Sequence, residues 1–183
     1  MFTLTPRQAL LIGFVVAPTL FVISAYFTRA TLRRIVGALV GAATYSAVNY
    51  GLDRAAAALG WWTYPAWLGN GQFPLSAYVL AGLVGGGAFG LVGWRILRRW
   101  RWQGFIAFLL FWALYAVIHD YGGSKLFASS GLMVFGPGLA PVIANVLWYW
   151  VGNAAPQAAI WLVAGPPQAG PLARTTHLAG LPQ

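Results

Sequence analysis

The sequence predicts an all-α polytopic membrane protein with five transmembrane helices. Of its 183 residues, 60% are hydrophobic and 7% are charged, whereas about a quarter of the residues in a soluble domain are charged. Five apolar runs also approach the ~20 residues that cross a hydrocarbon layer of ~30 Å. They are Ala9 to Phe27, Ile35 to Leu52, Pro74 to Trp94, Phe105 to Tyr121 and Leu139 to Val163. Because these runs use most of the chain, we expect one five-helix domain over residues 1–164.

The two ends of the chain are interpreted differently. The first apolar run lacks the Lys/Arg-rich start and the small-residue cleavage pattern of a signal peptide, so we expect it to be retained as a helix. Residues 165–183, which include His177, are rich in Pro and Gly and are typical of a disordered tail. The sequence has no cysteine, which excludes disulfides, thiolate nucleophiles and cysteine metal ligands.

The basic residues predict the orientation of the helices. One side of the membrane receives a cluster of arginines from the loops and the tail: Arg29, Arg33, Arg34, Arg95, Arg98, Arg99, Arg101 and Arg174. The other side receives only Arg7, Arg54 and Lys125. Because short cytoplasmic loops hold the excess of Lys and Arg, the N-terminus is predicted outside and the C-terminus in the cytoplasm. The preference for Arg over Lys suggests a bacterial inner membrane. The net charge of +9 is explained by anionic lipid head groups rather than by nucleic acid, because the arginines lie beside the spans.

Asp53 and Asp120 are the only acidic residues of the chain. The predicted orientation brings both to the outer ends of their spans, together with His119. On the second span, Tyr45, Asn49 and Asp53 recur every four residues and form a polar face that should avoid lipid. The Ala-rich stretch after Asp53 ends at Gly60, so the helix should continue past Asp53 and end with glycine in the C′ position.

The fourth and fifth spans each present a comparable row. The row on the fourth span is largely aromatic and consists of Phe108, Trp112, Tyr115 and His119. The row on the fifth span has three amides and a phenol: Asn145, Tyr149, Asn153 and Gln157. Three helices should therefore contribute polar side chains to a common interior, where they would be shielded from lipid.

The third span instead repeats glycine at Gly82, Gly86 and Gly90. Such a face lets another helix approach closely, and Gly37 and Gly41 of the second span offer a matching surface. Two alternatives remain at this stage. The missing side chains can leave room for a long ligand, or the face can join two copies in a homo-oligomer.

Two loops at the predicted outer side are unusually apolar. The segment from Trp61 to Trp67 includes Trp62 and Tyr64 and can form an interfacial aromatic belt or a lid over a pocket. The loop from Gly122 to Gly138 can enter the interface or cap the same site.

These residues suggest acid/base chemistry without a cofactor. A carboxyl group against apolar walls loses the solvation of its charged form and can protonate an alkene, an epoxide or a ketal oxygen. Aromatic rings stabilise the cation that follows. We therefore predict Asp53 as the acid, and Asp120 with His119 as the complementary base or orienting pair. The residues expected to bind or orient the substrate are Tyr45, Asn49, Trp61, Trp62, Tyr64, Trp112, Tyr115, Asn145 and Tyr149.

A structural interpretation competes with the catalytic one for each of these side chains. Asp53, Asp120 and their basic neighbours can be interfacial charges at helix ends, and His119 can be a hydrogen-bonded packing residue. No metal site is predicted, because no helix places two ligands at i and i+4.

The stretch containing Asp53, Gly60, Trp61-Trp62, Tyr64, Gly71 and Pro74-Leu75 resembles the small integral-membrane lycopene cyclase domains and related carotenoid-biosynthesis proteins. The resemblance covers about 30 residues and implies acid-initiated cyclisation or isomerisation of an isoprenoid-like lipid. Membrane polyketide spirocyclases look broadly similar. Where lycopene cyclases usually have paired glutamates after Pro-Leu, this chain has Ser76-Ala77. The acid would then be Asp53 or Asp120, and the substrate would differ from lycopene.

The sequence thus favours a membrane enzyme acting on a lipophilic isoprenoid- or polyketide-like molecule. The alternative is a non-catalytic membrane protein, either a small-molecule carrier or an accessory subunit, for which the tryptophans and the glycine face suffice. A secondary transporter fits less well because no inverted repeat is visible. A retinal protein would need a lysine within a span, and the only lysine is Lys125, in a loop.

Overall fold

The computed structural model describes residues 6–64, 73–122 and 133–167, which are mostly helical. The α-helices are α1 (Pro6–Phe27), α2 (Leu32–Ala58), α3 (Leu75–Gly82), α4 (Phe89–Tyr115) and α5 (Ala140–Ala164). Two π-helical segments, π1 (Leu83–Ala88) and π2 (Ala116–Gly122), continue α3 and α4, and two short strands are β1 (Trp62–Thr63) and β2 (Val134–Phe135). Three helical stretches are long and apolar enough to cross a membrane: Leu10–Phe27, Leu32–Ala58 and Leu75–Gly122.

The stretch Leu75–Gly122 is folded back on itself. Arg101 interrupts α4 with a non-helical backbone (φ 52°, ψ −140°). The arms on either side are antiparallel, because the Phe89 and Trp112 ring centroids lie 5.0 Å apart and a side chain at Gly93 would meet Phe108 at 3.2 Å. The sequence predicted two spans joined by an arginine-rich loop. In the structure, the two helical arms follow each other directly, and the chain reverses its direction at Arg101.

The end of α2 matches the prediction from the Ala-rich stretch. The helix continues past Asp53 to Ala58, and Gly60 follows with a φ of 67°. The Trp61 N–H donates to the Ala56 carbonyl at 2.9 Å, and the Gly60 N–H donates to the Ala57 carbonyl at 3.2 Å. These two bonds form a Schellman motif. The motif needs one residue in the left-handed backbone conformation, which glycine adopts without steric cost. The motif reverses the chain immediately after the helix.

The predicted glycine face packs inside the chain. A side chain at Gly86 would collide with the backbone of Gly41 in α2, and one at Gly82 would collide with Ser46. A side chain at Gly90 would meet Ile160 of α5 at 2.9 Å. Small residues allow this close approach, which supplies the packing contacts that hold helices together in lipid. The face proposed for a homo-oligomer is therefore covered by helices of the same chain.

The helix α5 occupies the centre of the bundle and lies along α2. Its polar row is buried, with Asn145 at 1%, Asn153 at 2% and Gln157 at 2% exposure. The Gln157 side chain donates to the Gly90 carbonyl at 2.9 Å. On α2, Tyr45, Asn49 and Asp53 are also buried. The prediction that these polar faces avoid the surface of the bundle is confirmed.

A short ribbon closes the Asp53 end of the bundle. The strands β1 and β2 are antiparallel, with Trp62 opposite Phe135 and Thr63 opposite Val134. The Gly136 N–H also donates to the Trp61 carbonyl at 2.8 Å. The second predicted apolar loop thus pairs with the aromatic segment through its final residues. Residues 123–132 of that loop, including Lys125, lie outside the described residues, as do the segment from Pro65 to Trp67 and residues 168–183 of the tail with His177.

We predict that Gly86→Ala destabilises the folded protein by about 1–3 kcal/mol, because the new methyl group forces α2 and π1 apart. The matched control is Gly51→Ala on α2, where an added side chain meets nothing within 4 Å. That control should be neutral or stabilising by about 0.5–1 kcal/mol, since alanine favours the helix. Thermal unfolding of both variants in detergent tests this difference. Equal melting temperatures would contradict the close contact between the two helices.

Candidate active site around Asp53

The Asp53 carboxylate accepts three hydrogen bonds from side chains. The indole Nε1 of Trp62 donates to Oδ1 at 3.1 Å. The hydroxyls of Tyr64 and Tyr78 both donate to Oδ2, each at 2.7 Å. Asp53 is 5% exposed, so these donors replace the water that the carboxylate loses on burial. All three donors are neutral groups.

Three separate chain segments build this arrangement. Asp53 lies near the end of α2, and the Schellman motif turns the chain so that Trp62 and Tyr64 return over the helix end. Tyr78 comes from the first turn of α3, which begins after Pro74. The contact between α2 and α3 is also held by Ser46, whose hydroxyl donates to the Tyr78 carbonyl at 2.9 Å. The carboxylate therefore ties together two helices and the strand segment.

Tyr64 lies outside the helices and remains a neutral donor. Burial, together with the adjacent Asp53 carboxylate, raises the pKa of the Tyr64 hydroxyl above its ordinary value. A phenolate there would be desolvated and would face a like charge. The hydroxyl proton therefore stays between Tyr64 and Asp53 at neutral pH.

A small cavity of about 100 Å³ adjoins the carboxylate. Its lining is largely aromatic and apolar, and consists of Tyr45, Asn49, Asp53, Tyr64, Phe73, Ala77, Tyr78, Ala81 and Trp148. The Asn49 amide donates to the Tyr45 carbonyl at 2.7 Å, but its buried Oδ1 has no partner within the described part of the chain. The buried Nε1 of Trp148 is likewise unpaired there. Two residues of the cavity wall thus each hold a buried polar atom that the described residues leave unsatisfied.

A groove on the side of the bundle reaches the same cavity wall. It has a volume of about 500 Å³ and lies between α2 and the α3–π1 arm. Its lining is almost entirely apolar, with Ser46, Tyr50 and Tyr78 as the polar side chains. Tyr78 lines both the groove and the cavity. The cavity and the groove therefore share Tyr78 as a wall residue.

Asp120 belongs to a second polar cluster. His119 Nδ1 lies 2.8 Å from Asp120 Oδ1, and the Asn145 amide donates to Oδ2 at 3.2 Å. Tyr149 is also hydrogen-bonded to Asp120. The His119 ring stacks on Tyr115 with a centroid separation of 4.6 Å. The His119 side chain is 46% exposed and that of Asp120 is 7% exposed, so the pair connects the surface with a buried carboxylate.

The two clusters are neighbours but do not line one cavity. Neither Asp120 nor His119 is among the lining residues around Asp53. Trp148 links the clusters, because its ring packs against Trp62 at 6.4 Å and against Tyr149 at 4.8 Å. The two carboxylates are close enough for their charges to interact.

The predicted binding residues divide between these two clusters. Tyr45, Asn49, Trp62 and Tyr64 lie around Asp53, whereas Asn145 and Tyr149 lie around Asp120. The Trp112 ring stacks on Tyr149 at 5.7 Å, and Tyr115 stacks on His119. Trp61 is half-buried and packs beside Trp62.

The sequence patterns did not predict three of the site residues, which are Phe73, Tyr78 and Trp148. Tyr78 was hidden in a span that appeared to serve packing alone, although it is a phenol in an otherwise apolar and glycine-rich segment. Phe73 and Trp148 looked like ordinary aromatic residues of a span or its flank. The position of Tyr78 one turn after Pro74 was the available signal, since the first turn of a helix lies close to the loop before it.

No group of three metal-ligating side chains clusters within residues 6–64, 73–122 and 133–167. Comparison with protein-family models, curated proteins and solved structures finds no match for this chain.

We predict that Tyr64→Phe and Tyr78→Phe each destabilise the protein by about 1.5–3 kcal/mol, the usual contribution of a hydrogen bond to a charged group. Tyr26→Phe is the matched control, because Tyr26 is 78% exposed and loses the same hydroxyl. Unfolding of the purified protein in detergent measures the three variants. If both site variants were as stable as Tyr26→Phe, the hydroxyls would not hold the carboxylate.

Proposed function

We propose that this chain is a multi-pass membrane enzyme that cyclises or isomerises a lipophilic isoprenoid- or polyketide-like substrate by acid/base chemistry without a cofactor. The main observation in support of this proposal is the buried Asp53 carboxyl group. It lines an aromatic cavity and is hydrogen-bonded to Trp62, Tyr64 and Tyr78. A carboxyl group in such surroundings can exchange a proton with an apolar molecule while water is kept away.

In the proposed reaction, the Asp53 carboxylate first takes up a proton and then gives it to an alkene carbon or an ether oxygen of the substrate. The new bond to hydrogen leaves a cation on the substrate and a carboxylate on Asp53. The three donors stabilise that carboxylate as it forms, and the ring faces of Tyr45, Phe73 and Trp148 stabilise the cation. Ring closure or a bond shift follows. The product cation then returns a proton to the Asp53 carboxylate, which restores the acid, so the reaction consumes no co-reactant.

The second cluster serves as the complementary base or orienting pair in this proposal. His119 and Asp120 do not line the cavity, but Tyr149, which packs on the cavity residue Trp148 at 4.8 Å, interacts with Asp120. A histidine paired with a carboxylate can accept a proton near neutral pH and pass it to the surface. In this role the pair would restore or remove protons without touching the substrate's reacting carbon.

The proposed membrane arrangement has five spans, with the N-terminus outside and the C-terminus in the cytoplasm of a bacterial cell. The separation of charges supports it, because Arg29, Arg34, Arg95 and Arg98 gather at the end of the bundle opposite Asp53. Under the positive-inside rule that end is cytoplasmic. The substrate would then enter from the outer leaflet through the groove beside Tyr78.

A non-catalytic carrier or accessory subunit is the second candidate, and one observation favours it. The three donors already satisfy Asp53, as they would in a carboxylate whose purpose is to join α2, β1 and α3. The two candidates differ in what happens to a bound ligand. An enzyme changes it, and a carrier releases it unaltered.

We expect Asp53→Asn to abolish product formation in a host that makes polyene or polyketide precursors, because the amide cannot donate an acidic proton. Mass spectrometry of lipids that co-purify with the protein measures product and precursor. Asp120→Asn should lower the product yield without abolishing it, because His119 loses its carboxylate partner and proton exchange with the surface is impaired. Thr63→Val, on the exposed side of β1, is the control with full activity. The same unchanged ligand on all four proteins would contradict catalysis and indicate a carrier.

A second expectation concerns the cavity itself. Ala77→Leu should fill much of the space beside Asp53 and lower product yield at least tenfold, while the hydrogen bonds to the carboxylate stay intact. Ala55→Leu adds the same atoms to an exposed position of α2 and should leave the yield unchanged. Product yield per folded protein, measured by chromatography, compares the pair. Equal yields from the two variants would show that the substrate does not use this cavity.

A further inference from the structure

Two arginines share one tryptophan at the end of the bundle opposite Asp53. The guanidinium carbon of Arg34 lies 4.6 Å from the Trp94 ring centroid, and that of Arg98 lies 5.7 Å from the same ring. Arg34 belongs to α2, whereas Trp94 and Arg98 belong to α4. The charge of Arg34 also interacts with those of Arg95 and Arg98. Like charges held this close repel each other, and an anion between them offsets that repulsion.

Neighbouring arginines already have acceptors at helix ends. Arg33 Nε donates to the Val163 carbonyl at 2.5 Å, near the end of α5. Arg95 donates to the Phe27 carbonyl at 2.9 Å, at the end of α1. Both contacts place positive charge at the negative end of a helix dipole, where it is stabilising. These two side chains serve the fold.

Arg98 and Trp94 lack such acceptors. The buried Nε of Arg98 has no partner within the described part of the chain, and neither does the buried Nε1 of Trp94. Trp94 is 6% exposed, so its N–H is shielded from bulk water. A buried donor without an acceptor costs about 1–3 kcal/mol. These two unpaired donors lie beside the Arg34 guanidinium, which itself donates to the Arg29 carbonyl at 2.9 Å and to the Thr31 hydroxyl at 3.3 Å. An anionic acceptor at this point would satisfy donors that the described residues leave unpaired.

The chain cannot supply this anion from an acidic side chain. Its only acids are Asp53 and Asp120. Asp53 is bound by Trp62, Tyr64 and Tyr78, and Asp120 is bound by His119 and Asn145. An anion bound here would therefore come from another molecule. Guanidinium groups suit phosphate oxygens because they donate several hydrogen bonds in a planar fork.

We propose that Arg34, Trp94 and Arg98 form a phosphate-binding site, which we call the arginine site. Its ligand is a phosphate monoester or diester group, carried either by an anionic phospholipid or by a soluble phosphate compound. The site lies at the end where the helix-terminal carbonyls of α1 and α5 are bound by arginines. The arginine site does not depend on the chemistry proposed at Asp53.

Lipid binding to the purified full-length chain tests the arginine site. Native mass spectrometry in detergent measures binding of phosphatidylglycerol against phosphatidylcholine, and calorimetry measures inorganic phosphate and pyrophosphate. Arg98→Gln should weaken phosphatidylglycerol binding about tenfold, the effect expected from losing a charged hydrogen-bond donor. Arg99→Gln is the control, because Arg99 is exposed on the same helix and lies over Trp100. It removes the same charge and should weaken binding less than twofold.

Trp94→Phe keeps an aromatic ring under both guanidinium groups but removes the buried N–H. It should weaken phosphate binding about threefold without unfolding the chain, so the test stands even if Arg98→Gln fails to fold. Phosphatidylglycerol binding that depends on these variants identifies a lipid head group. The same dependence for inorganic phosphate or pyrophosphate identifies a soluble ligand. Equal binding of every probe by wild type, Arg98→Gln, Trp94→Phe and Arg99→Gln would overturn the proposal.

Discussion

A buried carboxylate that must be satisfied by neutral donors is the constraint on which the Asp53 end of this protein depends. The Coulomb and solvation cost of a bare carboxylate in apolar surroundings is too large to tolerate. Three donors therefore have to reach Asp53 from different parts of the chain. Trp62 and Tyr64 can do so only if the chain reverses at Gly60, and Tyr78 can do so only if α3 begins beside α2. The Schellman motif, the short ribbon and the glycine contact between α2 and π1 all serve this geometry.

Part of this arrangement is readable from the sequence because it follows from local periodicity. The four-residue spacing of Tyr45, Asn49 and Asp53 predicts one helix face, and the structure buries that face. Gly60 predicts where α2 ends, since only a residue that adopts positive φ cheaply completes that motif. The long apolar runs likewise predict helices that can cross a membrane. Each of these inferences uses residues of one continuous segment.

The remaining features depend on contacts between distant segments, which periodicity does not encode. Tyr78 appeared irrelevant because its span looked like a packing helix, yet the approach of α3 to α2 brings its hydroxyl to Asp53. The division of the polar residues into two clusters around Asp53 and Asp120, linked by Trp148, follows from how α2, α4 and α5 pack together. The resemblance to membrane cyclases drew attention to the segment from Asp53 to Leu75, but the lack of paired glutamates leaves Asp53 as the acidic group in that segment. The two aspartates lie at one end of the bundle and the cluster around Arg34 and Arg98 lies at the other, so the two ends differ in their chemistry.

The sparse acidity of this chain permits a direct measurement of the Asp53 site. Because the sequence has two aspartates and no glutamate, protein labelled with ¹³C at the aspartate carboxyl gives two side-chain signals in an NMR spectrum. Asp120→Asn removes one signal and assigns the other. A lipophilic polyene or polyketide ligand should shift the Asp53 signal and leave the Asp120 signal nearly unchanged, and Tyr78→Phe should shift the Asp53 signal in the absence of ligand. A ligand that shifts Asp120 alone, together with an Asp53 signal unaffected by Tyr78→Phe, would contradict the assignment of the Asp53 cavity as the active site.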